Sequence, residues 1–145
     1  VLNMLSAMFN TLAGKKICLF GFAFKADTGD TRESPAIQIA RKLLDEHAEV
    51  VITDPQALVS AREDLADVEW GVSYVEDPCE AVRGCHAIAV MTEWNLYREL
   101  DYRRIHDLMV KPAFIFDGRN ILDHQALFEI GFNVYPIGKR PMSHF

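Results

Sequence analysis

Short apolar runs alternate with amphipathic stretches along almost the whole chain. Lys16-Ile17-Cys18-Leu19-Phe20 is followed at once by Gly21 and predicts a strand. Ser34-Pro35 then opens a helix, with serine as N-cap and proline at the tolerated first position. Ile37, Ala40, Leu43 and Leu44 give that helix one apolar face. Glu49 to Thr53 predicts a second strand, ended by Asp54-Pro55, and residues 56 to 66 a weaker helix. Val72 to Tyr74 reads as a short third strand, and Asp77-Pro78 opens a short helix that runs to Val82 and stops at Gly84. Ala87 to Met91 is a fourth, wholly apolar strand. Residues 94 to 109 read as helix in two pieces, divided at Asp101. Ala113 to Phe116 predicts a fifth strand, Gln125 to Ile130 a short helix and Asn133 to Ile137 the last strand.

Strands that alternate with helices and are apolar on both faces belong to a parallel sheet covered on both sides. The expected fold is therefore α/β, a Rossmann-like doubly wound sheet of about six strands, in the order 3-2-1-4-5-6. At the N-terminus, Leu2, Leu5, Met8 and Phe9 recur at helical spacing with no cap before them, like the last turns of a helix. The tail from Gly138 to Phe145 has no periodicity and is expected to be loose.

Composition narrows the class without naming it. The 145 residues suffice for one domain with a real core. Half are hydrophobic and a quarter charged, which is ordinary for a globular domain. Twenty-one acidic residues against fifteen basic give a net charge of −6, a poor match to a nucleic-acid backbone. No apolar run is long enough to suggest a membrane span. Cys18, Cys79 and Cys85 form no CxxC or zinc pattern, and an odd count fits a reducing, cytoplasmic compartment. His47, His86, His106, His124 and His144 are scattered, with no metal spacing and no neighbouring nucleophile, so surface or helix-end roles are expected.

The chemistry is expected where strand order reverses, outside the carboxyl ends of strands one and four. Three loops meet there: Gly21 to Glu33, Thr92-Glu93-Trp94 and Asp117-Gly118-Arg119. The first lacks the G-x-G-x-x-G turn of a dinucleotide site and is about twice the usual length of such a connection. Its Lys25 and Arg32 suit phosphate or carboxylate, and Phe24 suits a base or sugar face. The same two cations could instead pair with Asp27, Asp30 or Glu33 and pin the loop. Arg119 either joins the ligand group or bonds Asp117 or Asp123. Asp54 stands where an NAD-binding domain keeps its ribose acid, but without the glycine turn it reads better as a turn residue. Trp94 reads as either a pocket wall or a core anchor.

The segment Gly21-Phe22-Ala23-Phe24-Lys25-Ala26-Asp27-Thr28-Gly29-Asp30-Thr31-Arg32-Glu33-Ser34 closely resembles the opening of the C-terminal domain of UDP-glucose 6-dehydrogenases. Thr53-Asp54-Pro55, Met91-Thr92-Glu93-Trp94 and the run from Lys111 to Arg119 match in the same order. The resemblance extends to about Lys139, and the first segment looks closer to the animal-type enzymes, departing from them at Ala26 and Pro35. It implies a parent enzyme that oxidises UDP-glucose to UDP-glucuronate with two NAD. Residues 1–13 would be the tail of its central dimerisation helix, 14–139 its UDP-sugar-binding domain and 140–145 a loose tail. By position, Phe24, Lys25 and Arg119 match residues that contact the UDP-sugar, and Arg32 matches one that reaches the NAD held mainly by another domain. No catalytic residue is implied in this chain: the family's nucleophilic cysteine lies in the central region, outside the motifs of Cys18, Cys79 and Cys85. Implied partners are UDP-glucose, the rest of the parent chain and, in the full enzyme, other copies of itself. Relatives acting on GDP-mannose or UDP-N-acetylmannosamine share this architecture, and a non-catalytic nucleotide-sugar-binding module is the other alternative.

Overall fold

The computed structural model describes Met4, Ala7, Met8 and residues 10–145. Six strands, β1 (Lys16–Phe20), β2 (Glu49–Thr53), β3 (Val72–Tyr74), β4 (Ala87–Val90), β5 (Phe114–Asp117) and β6 (Asn133–Pro136), form one sheet. Every neighbouring pair is parallel, and the order is β3-β2-β1-β4-β5-β6, as the alternating pattern requires. Cys18 on the central strand faces Val51 on one side and Ile88 on the other.

Successive residues of a strand point to opposite faces, so an apolar strand feeds two cores. Ile17, Leu19, Val50, Ile52, Phe114 and Phe116 enter one core, with Ala36, Ala40 and Leu43 of α1 (Pro35–Asp45) and Ala61 of α2 (Leu58–Asp64). Cys18, Phe20, Val51, Ile88, Ile115 and Val134 enter the other. That core is closed by α3 (Pro78–Ala81), by a 3-10 turn at Asn95–Arg98, by α4 (Tyr102–Leu108) and by α5 (His124–Ile130). Apart from α1, these helices have seven residues or fewer, too short to persist alone, so burial of their apolar sides holds them.

The helix starts follow from their caps. The Ser34 hydroxyl accepts from Ala36 N at 3.2 Å, and the carboxylates of Asp77, Asp101 and Asp123 cap α3, α4 and α5 in the same manner. Asp101 is the expected break between the two helical pieces. Several boundaries shift by a residue or two from expectation, and two of these shifts bear on the sheet's carboxyl edge. Helix α2 is shorter than residues 56–66 because Gln56 and Ala57 give their N–H groups to Asp54 instead. Strand β5 is shifted by one residue, from Phe114 to Asp117, which pairs with Val90.

At the N-terminus, Leu2, Leu5 and Phe9 of the expected helix lie outside the described residues. Met4 and Met8 are buried in the first core, and Met8 N bonds Met4 O at 2.9 Å. After Gly138 the chain has no element longer than a single bridge: Met142 pairs antiparallel with Val134, and His144 stacks on Phe128. Among the described residues no helix is long and apolar enough to cross a membrane.

Candidate functional site

The loops after β1, β4 and β5 meet at the carboxyl edge, where the chain's path reverses between β1 and β4. Gly21 makes the close approach possible. Its φ is 98°, and a Cβ there would lie 2.4 Å from the Thr92 side chain. Thr92 then donates its hydroxyl to Ala23 O at 2.7 Å, joining the first loop to the second. Further along, Phe24 N bonds Asp30 O at 3.0 Å and closes the first loop on itself. The Ser34 hydroxyl donates to Phe22 O at 2.8 Å and ties the loop's two ends together.

Asp54 organises the base of the site. Its carboxylate is buried, and five N–H groups converge on it. Phe22 N and Ala23 N reach Oδ2 at 2.8 and 3.1 Å, and the Trp94 indole reaches the same oxygen at 3.2 Å. Gln56 N and Ala57 N reach Oδ1 at 2.8 and 2.9 Å. The acid therefore does bind its own turn, as its place before Pro55 suggested. It also fastens the first loop and Trp94, which the sequence could not show. Trp94 is a core anchor, with its ring buried and its N–H spent on Asp54.

A second carboxylate, Asp117, is equally buried at the end of β5. It accepts from Arg119 N, from Leu122 N and from the His124 ring, the last at 2.8 Å. Gly118 passes so close to β4 that a Cβ would lie 2.9 Å from Val90 O.

Above this base lie the cations. Arg119 bonds Glu93 through Nε at 2.7 Å and through Nη2, and Nη2 also points at Phe24 O, 3.5 Å away. Both side chains are a little over one-third exposed. The salt-bridge partner is thus Glu93, while Asp117, one of the two acids suggested by spacing, takes only the backbone N–H. The Lys25 ammonium sits 5.4 Å from the centre of the Phe24 ring, and Lys25 is exposed. Arg32 forks onto Asp30, with Nε 3.0 Å from Oδ1 and Nη2 2.6 Å from Oδ2. That pairing, first through the guanidinium and then through the Arg32 backbone N–H, pulls the Asp30 carboxyl down to about 2. The loop-pinning alternative thus holds for Arg32, yet its side chain remains 89% exposed. An open depression of about 460 Å³ adjoins this rim, lined by Glu93, Arg98, Arg119, Asn120 and Ile137 among others.

The arrangement can hold an anion, and it offers no nucleophile. Cys18 and Cys85 are fully buried, and burial pushes the Cys18 thiol up. Cys79 is also raised, by burial and then by the Asp77 charge. Among the described residues no group of three His, Cys, Asp or Glu side chains is placed to hold a metal ion. Nor do the residues here fit a dinucleotide in the Rossmann manner. The glycine turn is missing, and the carboxylate that would take a ribose already receives five donors.

Comparison with known proteins agrees with this geometry. The model of the UDP-glucose/GDP-mannose dehydrogenase family, UDP binding domain, matches residues 18–124. UDP-glucose 6-dehydrogenase of Caenorhabditis elegans is 49% identical over 146 residues, covering 96% of this chain and 30% of that protein. UDP-glucose 6-dehydrogenase 1 of Oryza sativa subsp. japonica is 47% identical over 155 residues, covering 94% and 32%. Among solved structures, a UDP-glucose dehydrogenase from Pyrobaculum islandicum aligns with a TM-score of 0.71 at 30% identity, over 90% of this chain and 28% of that one. An NDP-N-acetyl-D-galactosaminuronic acid dehydrogenase from Methanosarcina mazei Go1 aligns with a TM-score of 0.79 at 25% identity, over 96% and 28%. The chain spans about a third of the length of the curated relatives it matches. A parallel sheet without a dinucleotide turn, loops bearing Lys25, Arg32 and Arg119 at its switch point and a family match over most of its length lead to one assignment: the chain belongs to the UDP-glucose/GDP-mannose dehydrogenase family, as its UDP binding domain.

Proposed function

We propose that this chain holds the nucleotide sugar of a UDP-glucose 6-dehydrogenase, an enzyme that oxidises UDP-glucose to UDP-glucuronate with two NAD. The observation that carries the reading is Arg119 lining an open depression beside the switch point, with its Nη2 turned to Phe24 O in the loop that carries Lys25. A diphosphate brings two negative charges to be matched there, and a guanidinium can meet its oxygens in a fork. In this reading Arg119 binds the UDP part, while Lys25 and Phe24 lie toward the sugar. NAD would supply the hydride acceptor from elsewhere in the enzyme. Arg32, whose side chain is 89% exposed, is this chain's contribution to holding it. In this reading residues 14–139 are the binding domain and residues 1–13 belong to the parent's central dimerisation region. Three free cysteines, two of them buried, support a reducing, cytoplasmic setting.

Two measurements test this. The full-length enzyme is expected to turn over UDP-glucose with a higher kcat/KM than GDP-mannose or UDP-N-acetylmannosamine, and a preference for either competitor overturns the substrate. The 145-residue chain by itself is expected to form no NADH from UDP-glucose and NAD, because it has neither nucleophile nor dinucleotide turn. NADH formation by the chain alone would sink the division of labour.

A further inference from the structure

Glu93 is an acid set directly against Arg119, a cation read as receiving an anion. By charge alone it should weaken nucleotide binding, since like charges a few ångströms apart repel. Its contacts show what it holds. The carboxylate accepts from Arg119 Nε at 2.7 Å and pairs with Nη2, and that same Nη2 points at Phe24 O. The guanidinium thus has two of its three nitrogens turned to protein. Nη1 has no protein acceptor among the described residues and remains for a ligand. Burial pushes the Glu93 carboxyl up, but its own backbone N–H, Arg119 and the Ala26 N–H together outweigh burial and hold it below the usual carboxylate range. The Glu93–Arg119 pair thus reaches the backbone next to Lys25, through Arg119 Nη2 at the Phe24 carbonyl.

We propose that Glu93 is a positioning residue of the nucleotide site, fixing the Arg119 fork and, through it, the Phe24 carbonyl beside Lys25 in the arrangement that receives the ligand. The inference rests on the reading of this rim as the nucleotide-sugar site, and it adds a residue that touches no ligand and acts through two that do. Its sign separates it from a simple charge effect. If Glu93 acts only as a charge, removing it relieves repulsion and UDP binds more tightly. If it positions, removing it loosens the receiving groups and UDP binds more weakly although one negative charge has gone.

The test is an NMR titration of UDP into the 145-residue chain, reading amide shifts, which tolerates weak binding. Glu93→Ala is expected to weaken UDP binding about two- to fivefold, the scale of a partly exposed charged pair. It should also move the ligand-free amide signals of Phe24 to Ala26. Glu93→Gln keeps an oxygen acceptor for Arg119 but no charge, and is expected to fall between Glu93→Ala and the unsubstituted chain. It gives an independent arm should the alanine chain lose its fold. Affinity that is unchanged or tighter in both variants, while Arg119→Ala weakens it, overturns the positioning role alone. An unsubstituted chain that binds no UDP, or binding that neither Lys25→Ala nor Arg119→Ala weakens, overturns the nucleotide reading and the positioning role with it.

Discussion

At the end of β2 the Asp54 carboxylate is 1% exposed and takes five N–H donors, four of them from the backbone. On the rim of the same sheet edge, Asp30 and Glu93 each hold one arginine, and those arginines are 89% and 36% exposed. The same chemical group does different work in the two places because water is excluded from one and present at the other. A buried carboxylate must have its lone pairs filled, and the groups that fill it are then committed. Asp54 is for that reason a fastening for loops and has no capacity left for a ligand. An exposed ion pair is worth roughly 0–1 kcal/mol, so it adds little to stability, and the arginine donors it leaves unspent stay open to a ligand. Architecture belongs to the first region and binding to the second.

Three measurements press on this contrast. The largest effect is expected from Asp54→Ala, which leaves four backbone N–H groups and an indole N–H without their acceptor. A loss of about 3–5 kcal/mol in unfolding free energy is expected by chemical denaturation. A loss below about 1 kcal/mol would mean that water replaces the carboxylate freely and that the region is less closed than its burial indicates. Arg119→Ala removes a pair that water already reaches. Its expected cost in stability is under about 1 kcal/mol in the same assay, even though UDP affinity falls. A stability loss comparable with that of Asp54→Ala would erase the distinction between the regions.

The smallest effect concerns Asp30. Its carboxyl is held at about 2 in the folded chain, below the ordinary value of about 3.9. A depressed acid contributes stability that is complete above its unfolded value and disappears as pH falls through the folded one, here between about 4 and about 2. Arg32 therefore stays paired throughout the neutral range. An NMR titration of the Asp30 side-chain carbon should show a midpoint near 2, returning toward about 3.9 in Arg32→Ala. A midpoint near the ordinary value in the unsubstituted chain would mean that Arg32 is not held by Asp30 at all.

Much of the frame was legible along the chain. Strands β1, β2 and β3 lie where the apolar runs end and begin, and Ser34-Pro35 and Asp101 mark helix starts because capping is a local event within three residues. The three loops that form the rim were also legible, since they follow from strand order alone. Pairings across loops were not. Spacing offered Arg119 the acids Asp117 and Asp123, yet its partner Glu93 lies twenty-six positions away. The donor count at Asp54 was equally hidden, because three of its five donors come from 31 to 40 positions away.

The amino-acid sequence by itself determined the α/β alternation, the strand order, the lack of a dinucleotide turn and the set of cations available at the switch point. Each of these is set by residues near one another along the chain or by the connection rules of a parallel sheet. The tertiary structure decided which charges are sealed and which face solvent. It joined Trp94 to Asp54, brought Glu93 and Phe24 to Arg119, and left Arg32 outermost. Those outcomes depend on how closely separate loops approach and how much water remains between them, and neither quantity is a property of any short stretch of sequence.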